Sequence, residues 1–405
     1  MLCRDILCLC QFFYPEYTTS ATLPFDTAVS LAKAGFSVDV LAGYPREYSD
    51  AGRVPLRETK DGVNIRRVRY LQPGRVSRLG RLVNYFSFTA SVMLHLFSLR
   101  RYRCVIAYSN PPILPIAPLL ANRLFGTKLV FVAYDVYPEV AYASGSIRPG
   151  SLIDRAMNGI NRLLYRRASC VALTDEMRGF LLEHRPGLSA DRVTTIANWA
   201  HEKSLMPSPD AWTRFGYEPG QFVVSYFGNM GTCQEMDTLV RAIEQLRDDD
   251  RVRFLMIGHG NKKAAITERF QKEGLTNVQV IDFLTGEAVE QAVAITSCCV
   301  VSLEKGLKGT CAPSKFYSYL QGGKPVLAVV ERGSYLQAEV EEHAIGRAVE
   351  LGDADGLVRA VLELQSDPQE ARAMGRRAGA LYEREYALPV AMKKYRALLE
   401  ALCRP

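Results

Sequence analysis

What most constrains this chain is an alternation that runs along it and starts over halfway. Short apolar runs of strand length lie at Ile6–Phe13, Val38–Ala42, Val63–Arg69, Cys104–Tyr108, Lys128–Ala133 and Cys170–Leu173. Helix-patterned segments lie between several of them, the first over Asp26–Ala34 and stopped by Gly35. The pattern resumes with strands at Phe222–Phe227, Arg253–Ile257, Val278–Ile281, Cys299–Leu303 and Pro325–Val330, and an amphipathic helix over Asp237–Arg247. Alternating β and α at this spacing predicts parallel sheets covered on both faces. A length of 405 residues suits two such domains. The break falls in Asn198–Tyr217, where Trp199, Pro207, Pro209 and Gly216 read as a linker. The expected architecture is α/β, two Rossmann-like domains at 1–198 and 199–386, with ligands at the carboxyl ends of the strands.

Composition removes other classes. An apolar fraction of 48% with 23% charged residues excludes a disordered or coiled-coil chain. A mean hydropathy of −0.04 excludes a polytopic membrane protein. The cysteines Cys3, Cys8, Cys10, Cys298 and Cys299 sit in or beside apolar runs, as buried thiols do, and none has zinc spacing. Asp248–Asp250 and Asp353–Asp355 read as solvated turns, so no metal site is expected. The opening MLCRDILCLCQFFYPE is broken by Arg4 and Asp5 and does not read as a signal peptide, which suits a cytoplasmic protein.

Charge is unevenly spread. Residues 1–200 hold 25 Lys and Arg against 15 Asp and Glu, and 12 of the basic residues lie between Arg53 and Arg103. Arg75, Arg78 and Arg81 lead into LVNYFSFTASVMLHLFSL, which Arg100, Arg101 and Arg103 close. Its many polar residues make it a poor membrane span. Two readings stand: a buried helix with ordinary flanking charge, or a helix at the bilayer surface with Tyr85, Phe86 and Phe88 at the interface and its arginines on anionic headgroups. Nucleic acid is not expected, because no recognition motif accompanies the charge.

The ordered segments QFFYPEYTTSATLPF, SNPP (Ser109–Pro112), FVAYDVYPEVAYASG, SYFGNMGTCQEMDTL, FLMIGHG and APSKFYSYLQGGKPVLAV resemble family-4 glycosyltransferases of GT-B fold. The resemblance is to the bacterial subgroup that builds O-antigen, capsule and exopolysaccharide. It implies two Rossmann-like domains facing across a cleft, and a C-terminal helix at 387–405 packed back on the N-terminal domain. It also implies a retaining transfer from a nucleotide sugar, a UDP-sugar in expectation, to a lipid-linked or oligosaccharide acceptor. Such a protein would work at the inner face of the cell membrane, bound peripherally.

Donor contacts are expected in the second half. Gly228-Asn229-Met230-Gly231 follows a strand and permits close backbone approach to a phosphate, and Gly258-His259-Gly260 repeats the device. Ala312-Pro313-Ser314-Lys315 starts a helix, so the Ser314 and Lys315 N–H groups and the lysine ammonium can converge on a diphosphate. The sequence departs from the family where two glutamates, eight positions apart, map onto Thr310 and Ser318, and where an Arg and a Lys map onto Asn229 and Gln234. Lys315 is then the leading phosphate cation, with Glu304 and Lys308 as neighbours; Lys324 reads as structural. Neither a cofactor nor a metal is expected.

Acceptor and reaction chemistry is expected in the first half. Asp135 and Glu139 in DVYPE, and Glu16 with Tyr14 in the first loop, can bind sugar hydroxyls or act as bases, though an N-cap aspartate and a first-turn glutamate would look alike. The TTSAT run at Thr18–Thr22 offers further hydroxyl and N–H groups. The family histidine before this motif is absent. Two alternatives remain: a sugar-nucleotide isomerase of the same fold, such as a UDP-N-acetylglucosamine 2-epimerase, and an inactive relative that only binds.

Overall fold

The computed structural model describes residues 4–46, 49, 52–73, 78–200 and 211–403, without the Arg78 side chain. Arg75 lies outside the described residues. Two compact units emerge: Met1–Asn198 with Gly309–Ala312 and Leu388–Pro405, and Trp199–Lys308 with Pro313–Ala387.

The first unit is built on β1 (Arg4–Cys10), β2 (Val38–Gly43), β3 (Arg57–Lys60), β4 (Val63–Val68), β5 (Tyr102–Tyr108), β6 (Lys128–Ala133), β7 (Ser169–Ala172) and β8 (Val193–Thr195). Their order is β3-β4-β2-β1-β5-β6-β7-β8, parallel except for the β3–β4 hairpin. The central strands are buried on both faces, as parallel strands between helix layers must be. The second unit carries β9 (Phe222–Phe227), β10 (Val252–Ile257), β11 (Val278–Ile281), β12 (Cys298–Ser302), β13 (Val326–Val330) and β14 (Gly346–Glu350), all parallel, in the order β11-β10-β9-β12-β13-β14. Strand order reverses around β1 and β5 in the first unit and around β9 and β12 in the second. Loops leaving such a reversal part, and the crevice they leave is where ligands of doubly wound sheets bind.

Some expectations change. The first helix runs Thr19–Lys33, with Pro24 inside it. Proline normally ends a helix reading; here it lies in the second turn, buried with Ala21 and Leu23, so the Thr18–Thr22 run opens a helix instead of forming a loop. The charged strand β3 escapes an apolar-run reading; it is an edge strand held by the Asp61-Gly62 turn, whose two residues both have positive φ. The end of the linker stretch is core: Ala211, Phe215 and Tyr217 pack with Val223, Leu255 and Ile295.

The basic-apolar segment forms the helix Arg78–Met93 and a 3-10 turn at Leu96–Arg101. Asn84, Phe88 and Val92 are buried, while Leu79, Leu82, Phe86, Leu94 and Phe97 are exposed. Phe88 is therefore a core residue and cannot sit at a membrane interface. Among the described residues no helix is long and apolar enough to cross a membrane.

Candidate functional site

In the second unit the loops after β9 and β10 fit into one another. A Cβ on Gly258 would lie 1.9 Å from the Gly228 carbonyl oxygen, and one on Gly260 would lie 2.3 Å from that of Met230. The Gly228 N–H donates to Ile257 (2.8 Å), that of Met230 to His259 (2.6 Å), and that of Gly231 to the Gln234 side chain (3.2 Å). Three of the four amides read as a phosphate cradle are thus already bonded, and the Met230 side chain is core. The glycines serve close backbone packing; exposed Asn229 is the member of that loop presented outward. His259 is exposed and packs edge-on against Phe283, 5.8 Å between ring centres.

Lys315 is held differently. It lies in the first turn of the helix Ser314–Gln321, which follows β12. Its ammonium lies 3.7 Å from the centre of the Tyr226 ring and donates to the Tyr226 hydroxyl, which in turn donates to the Asn229 carbonyl at 2.7 Å. Its Cε lies 3.8 Å from where a Gly228 Cβ would be. Among the described residues it makes no ion pair, and burial alone pulls its pKa down to about 7. Its neighbours contrast with it. Lys262 pairs with Glu304 at 3.0 Å, and Lys324 donates to the Thr296 carbonyl at 2.6 Å, a structural bond. Ser314 is half-buried beside Lys315, and Ser318 is exposed one turn further on. Lys308 is exposed near Gly333. Tyr226 carried no signal in the sequence, because a tyrosine in a strand looks like any β former.

In the first unit Asp135 follows β6. Its N–H donates to the Ser109 hydroxyl (3.1 Å), and its backbone forms an antiparallel bridge with Cys311. Its carboxyl group has no charged partner among the described residues, and burial raises its pKa to about 6. The Val136 N–H donates to Thr310 (2.7 Å) and the Gly309 N–H to the Glu176 carboxylate (2.9 Å), so Gly309–Ala312 is bound into this unit. Thr310, where the family carries a glutamate, is buried.

The other carboxylates read as catalytic are occupied. Glu139 is paired to Arg185, which also donates to the Tyr137 carbonyl (3.2 Å) and lies over Tyr165. Glu16 is buried and accepts the Phe13 N–H (3.4 Å), closing the first loop. Tyr14 stacks on Phe25, and its carbonyl accepts from Arg67 at 2.7 Å. These three hold loops in place. Arg81 is exposed on its helix. Among the described residues no group of three or more His, Cys, Asp or Glu is placed to hold a metal ion.

The chain matches the glycosyl transferase 4-like domain over residues 24–199 and the glycosyl transferases group 1 domain over 221–367. It belongs to the family-4 glycosyltransferases. The chain is 24% identical over 306 residues to the probable glycosyltransferase WbjE of Pseudomonas aeruginosa, covering 75% of this chain and 76% of that one. It is also 24% identical over 333 residues to the putative colanic acid biosynthesis glycosyl transferase WcaI of Escherichia coli, covering 78% and 81%. In fold it is similar to HepE from Anabaena in complex with UDP, with a TM-score of 0.69 and 16% identity over 98% of this chain and 100% of that one. The parallel sheets are those of the GT-B glycosyltransferases.

Proposed function

We propose that this glycosyltransferase moves a sugar from a UDP-sugar onto a lipid-linked or oligosaccharide acceptor in bacterial surface polysaccharide synthesis, with retention at the anomeric carbon. The observation that carries the reading is Lys315, a half-buried ammonium with no ion pair among the described residues, at the strand-order reversal of the second sheet. As the glycosidic bond breaks, the leaving diphosphate gains negative charge, and a fixed cation in a low-dielectric site stabilises that charge most. Lys315 then does the work for which other sites recruit a metal ion. The UDP bound by HepE and the colanic acid role in the name of WcaI support donor and pathway class. Asp135, ionised near neutral pH and without an ion pair among the described residues, is the group that holds or deprotonates the acceptor hydroxyl.

The acceptor is taken from the cytoplasmic face of a membrane. The exposed residues Leu79, Leu82 and Phe86 recur at helical spacing with Arg81 nearby, the pattern of a helix lying in an anionic bilayer surface. A panel of nucleotide sugars with membrane extract tests the reading. UDP release that requires acceptor, persists in EDTA and falls in Lys315→Met supports it. Hydrolysis or interconversion of the donor without acceptor overturns it.

A further inference from the structure

We infer that a second element of the first unit, the helix Leu152–Tyr165, contacts the same anionic bilayer as Arg78–Met93, so that the membrane face is a layer of helices. This rests on the membrane reading above and extends it to residues that reading does not use. In this helix Asp154, Met157, Leu164 and Tyr165 are buried. The opposite side shows Leu152, Ala156, Gly159 and Leu163, spaced four, three and four residues apart, and Leu152 is 82% exposed. Arg155, Arg162 and Arg166 run along one edge of that stripe, and Ile153 is exposed at its start. A solvent-facing helix would carry mixed charge there; this one carries leucines and arginines.

Charge identifies the occupant. From residue 62 to 174 the chain has sixteen Lys and Arg and only three acids, Asp135, Glu139 and Asp154. Glu139 is bound by Arg185 and Asp135 is desolvated. Asp154 accepts from Tyr142, from the Gly150 N–H (2.7 Å) and from Asn158 (2.6 Å), turned away from the stripe. Arg155 and Arg162 make no ion pair among the described residues. The helix is also continuous with the first membrane helix. Ile116–Phe125 packs against both, Arg167 donates to its Asn122 (3.4 Å), its Leu124 is exposed, and exposed Phe97 lies against its Phe125. Apolar tips set among unpaired arginines match an anionic headgroup layer over acyl chains, where the guanidinium stems also bury.

Flotation of the full chain with phosphatidylcholine vesicles, with and without phosphatidylglycerol, tests this. Leu152→Glu/Leu163→Glu is expected to cut partition about tenfold or more, and Arg155→Glu/Arg162→Glu to cut it on the anionic vesicles only. Thermal melts matching the wild type show that the fold is kept, since all four side chains are exposed. If both variants float like the wild type while Leu79→Glu/Phe86→Glu does not, the second helix is no membrane element and the membrane reading stands. If the wild type binds neither vesicle, both fall, and the stripe belongs to a protein partner.

Discussion

An ammonium held out of water without a carboxylate is a standing cost that a plain core position would not carry. Lys315, half-buried and with no ion pair among the described residues, carries part of that cost, and its lowered pKa gives a signed prediction. A bound diphosphate favours the charged lysine, so binding takes up a proton wherever the free site is neutral. Affinity for UDP is therefore highest below pH 7 and falls above it, by at most tenfold per pH unit, until the pKa of the complex is reached. The last phosphate ionisation, near pH 6, lies below that window. Calorimetry across pH 6.5–9 should show the fall in wild type and a flat profile in Lys315→Arg, whose guanidinium does not titrate. A flat wild-type profile would remove Lys315 from the phosphate site. Asp135 predicts the opposite limb: its carboxylate is lost as pH drops through about 6, so kcat/KM should decline there. Asp135→Asn should lower kcat about a hundredfold or more, with little change in the donor KM.

At the scale of elements, the loops after β9 and β10 act as one piece, because two glycines let their backbones touch. Gly258 has a φ of 155° as well as the contact with the Gly228 carbonyl. Gly258→Ala should push the two loops apart, displace Gly228 from Lys315 and cost about 2 kcal/mol or more of stability. The readouts are a lower Tm and weaker UDP binding together; an unchanged Tm would mean that the loops are not interlocked. The same elements show what the sequence can disclose. Strand periodicity located β9, β6 and β11 to the residue, and a proline-serine-lysine start marked Lys315. Local pattern could not tell Glu139 from Asp135, because the partner that occupies Glu139 lies 46 residues downstream, at Arg185. Nor could it show that the Gly228 and Met230 amides are spent on Ile257 and His259, since that depends on where the next strand ends.

For the whole molecule, the chain path matters most where it leaves the second unit. After crossing the second unit the chain returns to the first, where the helix Leu388–Cys403 buries Ala391, Tyr395, Leu399 and Cys403. It packs on β5 and on Thr19–Lys33, and the Cys403 carbonyl accepts from Arg103 at 2.8 Å. The first unit is thus completed by a helix that follows the second unit in sequence, whereas the second closes its sheet with β14 before Leu388. Removal of 388–405 should strip apolar cover from the first sheet, at roughly 1.5–3 kcal/mol for each large buried side chain lost, while leaving every contact of Lys315, Tyr226 and Gly228 in place. The truncated chain should therefore lose the melting transition of the first unit, along with transferase activity, yet still bind UDP with wild-type affinity. Cooperative loss of UDP binding in that truncation would show that the donor unit does not fold independently of the return helix.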